Sequence, residues 1–256
     1  MIDAAYSIAL NTFKEAVRDR ILAVCFVFAL LLMASSTVLS WLTVGSELKI
    51  VTDIGLAAEA FFAALIAVLV GINLVHKEVD KRTIYAVLAK PVPRWLFIVG
   101  KYLGLMAVLV AAIALMSSFY VALVWWKGGV FPSHVFGALL LSVFEVSVIT
   151  AVAIVFSSFA PPIEAAIFTA GVWAIGHMSW GFAALAARIP SEAFGQAVTA
   201  LYYLMPDLET FNVRSQVVHG LAVTPSYYIM AFVYALAYTA AMLVLAVLIF
   251  RRRDLK

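Results

Sequence analysis

Apolar residues along this chain gather into runs of roughly 20 or more, and a run of that length crosses a bilayer as a helix. Six such runs are expected to span, over about residues 21–42, 55–75, 95–125, 135–160, 163–187 and 227–250. Ahead of them, residues 2–20 follow another rhythm. Ile2, Tyr6, Ala9, Phe13 and Val17 recur at helical spacing, while Asp3, Ser7, Asn11, Lys14, Glu15 and Arg18 fall on the other side. That pattern predicts an amphipathic helix on the membrane surface, either a simple anchor or an elbow that also touches a partner.

The polar breaks between runs are short. Val44 to Ile54, with Glu47, Lys49 and Asp53, reads as an outer loop. Trp125 and Trp126 mark an interface, and Lys127, Gly128, Gly129 and Pro132 make the turn beyond it. Pro161-Pro162 breaks the chain again, and Pro162 suits the first turn of the next helix, where a missing N–H costs nothing. Residues 188–226 form the longest stretch that does not span. Within it Ala193, Phe194, Ala197, Val198, Leu201 and Leu204 line one face of a helix too short to cross, so it lies on or dips into the outer leaflet. Pro206 ends that helix, and Asp207 can cap a second short one through Asn212; these two residues are the candidate outer gate. The fold expected is an all-α polytopic membrane protein, one transmembrane domain over 1–256, with a surface helix at its start and short interfacial or re-entrant helices in its last outer loop.

Composition agrees with this. At 66% hydrophobic, 12% charged and a mean hydropathy of +1.08, the chain lies far from soluble domains, which are about 45–50% apolar and about 25% charged. The net charge of +3 is small, and the basic residues cluster beside spans, so lipid headgroups and topology explain them and nucleic acid does not. With both ends inside, 13 of the 17 Lys and Arg residues fall on the cytoplasmic side, and only Lys49, Lys127, Arg188 and Arg214 lie outside. Shifting the topology by one span destroys that bias. Cys25 is the sole cysteine, which excludes an intrachain disulfide. The first 20 residues mix charge with apolar positions and do not read as a cleavable signal.

The most polar segment is the loop 76–94, tucked between the second and third runs. Lys77 to Ala89 can form one short helix, with Glu78 and Arg82 in the favourable i,i+4 order and Ile84, Val87 and Leu88 on an apolar side. Pro91 and Pro93 stop it, and Arg94 and Lys101 bracket the start of the next span. A stiff helix tied closely to two spans moves with them.

Several stretches carry a family likeness. In the loop they are Glu78, Arg82-Thr83, Leu88 to Pro91, Arg94 and Gly100-Lys101; later come FEVSVITAVAIVFSSFAPPIEAA at 144–166 and YYLMPDLETFN at 202–212. Together they make the chain resemble the ABC-2 type permeases, membrane subunits of export-type ABC transporters of bacteria and archaea. The resemblance implies a multi-pass protein of a prokaryotic cytoplasmic membrane. It implies a separate ATPase, working as a homodimer with its own ATP and Mg, that grips the loop. The coupling contacts would be Glu78, Asp80, Lys81, Arg82, Thr83, Lys90, Pro91 and Arg94. It also implies a second permease, identical or paralogous, completing the pathway. The residues agree in one respect: no GxxxxGK[ST] phosphate loop exists, so the chain is not expected to be an enzyme or to hold a cofactor of its own. Gly100 and Gly104 form a GxxxG that could be a helix contact.

Polar residues inside the runs are the remaining candidates. Glu145 lies deep in the fourth run, where a charge costs at least ~2.5–3.5 kcal/mol, so it must face protein or water or be protonated. It is read either as a pathway residue or as a neutral packing residue. His177 stands alone in the fifth run with the same two readings, and Glu59, about one turn into the second run, could snorkel outward. Glu164 suits the first turn of its helix. The four histidines are far apart and neither HExxH nor CxxC occurs, so no metal site is expected. The competing readings are an ATP-independent channel or secondary transporter built on Glu145 and His177, and last an intramembrane enzyme, for which no nucleophile elbow is present.

Overall fold

The computed structural model describes residues 2–41, 47–80, 93–128, 135–178, 181, 196, 199–200 and 204–252, with side chains for all of these except residues 2, 73–80 and 252. Among them the chain is all helical. The elements are α1 (Ile2–Val17), α2 (Arg20–Ser40), α3 (Glu47–Asp80), α4 (Arg94–Gly128), α5 (Val135–Ser157), α6 (Pro162–His177), a 3-10 turn (Glu209–Phe211), α7 (Arg214–Val218) and α8 (Pro225–Arg252). Five of them, α2, α3, α4, α5 and α8, are long and apolar enough to cross a membrane. This is a polytopic membrane protein.

Local chemistry sets the boundaries. Asp19 separates α1 from α2: its Oδ1 accepts from the Ile21 N–H at 2.9 Å, satisfying one of the donors that a helix start leaves bare. Pro161 precedes α6 and Pro162 opens it, as the sequence predicts, with Glu164 in the first turn. Two expectations change at α3. Residues 47–54 were expected in a loop, yet the helix already begins at Glu47, because Val51 and Gly55 pack inward one turn apart. At its other end α3 runs on through Asp80, so Lys77 to Asp80 prolong this helix; residues 81–92, which include the rest of the expected coupling helix through Ala89, lie outside the described residues. With 34 residues α3 is roughly 50 Å long, well beyond the ~30 Å hydrocarbon core. The fifth expected span, 163–187, is described as a helix only over Pro162–His177, and residues 182–195 lie outside the described residues.

Helices α3 and α5 form the centre of the bundle, with 61% and 67% of their most apolar stretches buried, against 22% for α2 and 17% for α8. Small residues meet between the central pair, where a Cβ on Gly71 of α3 would lie 3.6 Å from Ala153 Cβ of α5, and so let the helices approach where lipid offers no hydrophobic drive. Side-chain hydrogen bonds tie in the periphery. Tyr102 of α4 bonds Ser147 of α5 at 2.7 Å, and Ser147 bonds Thr239 of α8 at 3.1 Å.

The surface helix α1 lies along the first turns of α4. Its seat is the Gly100/Gly104 pair. A Cβ on Gly100 would sit 2.8 Å from Ile8 Cγ2, and one on Gly104 would meet the Ala9 carbonyl oxygen and lie 2.6 Å from Thr12 Cβ. The GxxxG is therefore a helix contact, made to α1. Ile8, Thr12 and Ala16 turn toward the protein, leaving Tyr6 and Val17 exposed at 67% and 51%. Lys101 does not simply bracket the span in solvent: it is 2% exposed beneath α1, with Nζ 3.9 Å from Glu15 Oε2 and 5.8 Å from the centre of the Phe97 ring. Gly104→Ala should lower stability by about 1–3 kcal/mol, because the obstruction is backbone and cannot rotate away. Gly171→Ala is the control, since nothing lies within 4 Å of its would-be Cβ, and thermal unfolding of the two purified variants should separate them.

Candidate functional site

Near the end of the bundle that carries Trp125 and Lys127, helices α3, α5 and α6 and the segment 209–214 enclose a cavity of about 430 Å³. Each wall follows from helical spacing. Ser142 and Glu145 share a face of α5, three residues apart, and Trp173 and His177 share a face of α6, four apart. Glu145 is 4% exposed, and its Oε1 accepts from Trp173 Nε1 at 3.0 Å and lies 3.0 Å from His177 Nε2. The other ring nitrogen, Nδ1, is 3.5 Å from Glu209 Oε2. His177 thus stands between two carboxylates from different parts of the chain; a doubly protonated ring donates to both, a neutral ring to one.

Glu59 does not snorkel outward. Because α3 starts at Glu47, this residue lies more than three turns in, 1% exposed, and its Oε2 accepts from Ser142 Oγ at 3.2 Å. Its other oxygen, Oε1, has no hydrogen-bond partner among the described residues. Phe61, Trp173, Leu56 and Phe211 supply the apolar lining. At the mouth Arg214 pairs with Asp53, Nε to Oδ1 at 3.0 Å. Glu209, Asn212 and Arg214 also line a second cavity of about 550 Å³ that leads toward Lys49 and His219.

Glu209 and Phe211 to Arg214 cover the cavity, and α8 holds the segment 204–213 that carries most of them. Tyr227 donates to the Thr210 carbonyl at 2.7 Å, Tyr234 accepts from the Asp207 N–H at 2.8 Å, and Tyr238 donates to the Leu204 carbonyl at 3.1 Å. Those tyrosines recur at seven and four residues, one stripe of α8. The Leu208 N–H donates to the Gly176 carbonyl at 3.2 Å, closing the segment onto the end of α6. Asp207 does not cap the next helix as expected. The 3-10 turn follows Leu208 with no side-chain cap, and the Asp207 carboxylate accepts from Thr210 Oγ1 at 2.9 Å instead. The backbone of Pro206 presses on Gly176, where a Cβ would lie 2.8 Å from the Pro206 carbonyl oxygen.

The structure brings Glu59, Glu145 and His177 to one cavity and sets Pro206 and Asp207 in the segment beside it. Arg94 lies at the opposite end. Its guanidinium donates to the carbonyls of Phe250 and Arg251, at 3.1 and 2.9 Å, joining the first residue of α4 to the last turn of α8. Glu78 and Asp80 belong to α3 with side chains outside the described residues, as Lys81, Arg82, Thr83, Lys90 and Pro91 are entirely. Sequence reasoning missed Trp173, Ser142 and Glu209, and also the tyrosine stripe. The signals were present, as Ser142 three residues before Glu145, Trp173 four before His177, and the tyrosine spacing on α8.

All-helical architecture, several spans and a polar cavity between them define a multi-pass membrane protein. The family model described as ABC-2 family transporter protein matches residues 6–255, and the chain belongs to that family as a membrane component of an ABC-2 transporter. No curated protein matches the chain. Subunits of this family are typically the non-catalytic ones.

Glu145 is the shared acceptor of the cavity wall. Glu145→Ala should cost about 1–3 kcal/mol for each buried donor it strands, read as a lower thermal midpoint in detergent, whereas Glu145→Gln, which keeps an acceptor, should lose less.

Proposed function

We propose that this chain is the permease subunit of an export-type ABC transporter in the cytoplasmic membrane of a prokaryote, with both termini in the cytoplasm. The observation that carries this reading is the family match over residues 6–255. A separate ATPase dimer binds and hydrolyses ATP with Mg, and a second permease, identical or paralogous, completes the pathway. Residues 163–187 supply the remaining span, making six, and α1 is the elbow helix.

The loop 76–94 is the handle. Its flanks support this role, since α3 and α4 are the two longest helices and both reach into the bundle centre. Glu78, Asp80, Lys81, Arg82, Thr83, Lys90, Pro91 and Arg94 make the ATPase contact. A push there tilts α3 and α4 together. Through the Arg94 bonds to the Phe250 and Arg251 carbonyls the same push reaches α8, and the tyrosines of α8 carry it to the segment 204–213. That segment, with Pro206 and Asp207, acts as the gate over the cavity of Glu59, Glu145 and His177.

A second reading, an ATP-independent transporter, draws its support from the buried carboxylates of the same cavity. Two measurements separate the readings. Under the permease reading an ATPase co-purifies at equal stoichiometry from mild detergent, and replacing Glu78 or Arg82 uncouples ATP hydrolysis from transport while thermal stability is kept. Transport by the purified chain alone in liposomes, with normal coupling in those variants, would reverse the choice.

A further inference from the structure

We infer that the cavity between α3, α5 and α6 is a binding site for a protonated primary or secondary amine carrying an apolar body, an inference that rests on the permease reading only for the amine's role as cargo. The argument begins with the orphaned oxygen. Glu59 lines the cavity at 1% exposure, one carboxylate oxygen satisfied by Ser142 and the other, Oε1, without a partner among the described residues. A buried carboxylate oxygen left without a donor is costly, and a molecule that brings a donor to it recovers that cost.

The surroundings select the donor. Glu59, Glu145 and Glu209 line the same space and outnumber its basic groups, Arg214 and His177, the latter already engaged by both Glu145 and Glu209, so an anion is disfavoured and a cation is drawn in. The nearest guanidinium, Arg214, is engaged with Asp53 at 3.0 Å. No group of three or more His, Cys, Asp or Glu side chains able to hold a metal ion occurs among the described residues. An ammonium group suits the site better, because it forms charge-assisted hydrogen bonds to separate oxygens without fixed coordination geometry. Oε1 calls for a hydrogen-bond donor, which an ammonium with an N–H supplies and a quaternary ammonium lacks. The remaining lining, Phe61, Trp173, Leu56 and Phe211, accepts a hydrocarbon or aromatic body, and about 430 Å³ lies within the ~300–1,000 Å³ typical of small-molecule sites.

The test uses the full chain in nanodiscs of neutral phosphatidylcholine, with empty nanodiscs as the blank, and titrates phenethylamine and its N-trimethylated quaternary analogue by calorimetry. Phenethylamine should bind saturably and the quaternary analogue more weakly. Glu59→Gln should weaken phenethylamine roughly tenfold or more, the worth of a charge-assisted bond. Arg214→Gln, a partly exposed change at the mouth that keeps Glu59 intact if the first variant does not fold, should tighten it on the order of 2- to 5-fold by removing a cation from the cavity lining. Absence of saturable binding, equal binding of the quaternary analogue, or unchanged affinity in both variants would overturn the amine site. The same preparation is assayed for a co-purifying ATPase. Amine binding without an ATPase keeps the site and removes the permease reading, whereas an ATPase without amine binding does the reverse.

Discussion

A carboxyl group held among hydrocarbon side chains has to find its hydrogen bonds inside the protein, since lipid offers none. Glu145 meets that requirement with an indole and an imidazole from the neighbouring helix, and the imidazole in turn meets Glu209. Much of this end of the bundle follows. The bonds set the rotation of α6 against α5 and draw the segment after Leu208 over the cavity. They also leave Ser142, one turn from Glu145, to serve Glu59 of α3. Remove the buried acid and three elements lose a common point of reference.

The same economy appears elsewhere in the bundle. Where lipid gives no hydrophobic reason for helices to meet, α3 and α5 approach closely at Gly71 and Ala153, and α1 comes to rest on two glycines of α4. The polar links are few and placed at ends or between three helices. Arg94 caps the bare carbonyls at the end of α8, a favourable place for a cation, and so binds the start of one long helix to the finish of another. The tyrosines of α8 hold the covering segment by hydrogen bonds to its backbone, which depend little on which side chains that segment carries.

Much of the architecture was legible because hydropathy and proline chemistry are local. The apolar runs and the start of α6 at Pro162 come from residues that act on their own neighbourhood. Boundaries near the interface were harder. The stretch 47–54 carries Glu47, Lys49 and Asp53 and so looks like a loop, yet charged residues are tolerated on a helix that has left the hydrocarbon. Glu59 was misplaced for the same reason: measured from an apolar run it lies near the edge, and measured from the helix that forms it lies deep inside.

By itself the sequence determined that this chain is a multi-pass helical membrane protein and which acids and histidine had to be accounted for within it. Those conclusions need only the cost of moving each side chain out of water. Tertiary structure alone decided that Glu59, Glu145 and His177 belong to one cavity, that Glu209 joins them from more than thirty residues beyond His177, and that Gly100 and Gly104 receive α1. Partners in a membrane bundle are chosen by helix rotation and close contact between distant segments, and neither is written in the period of any one segment.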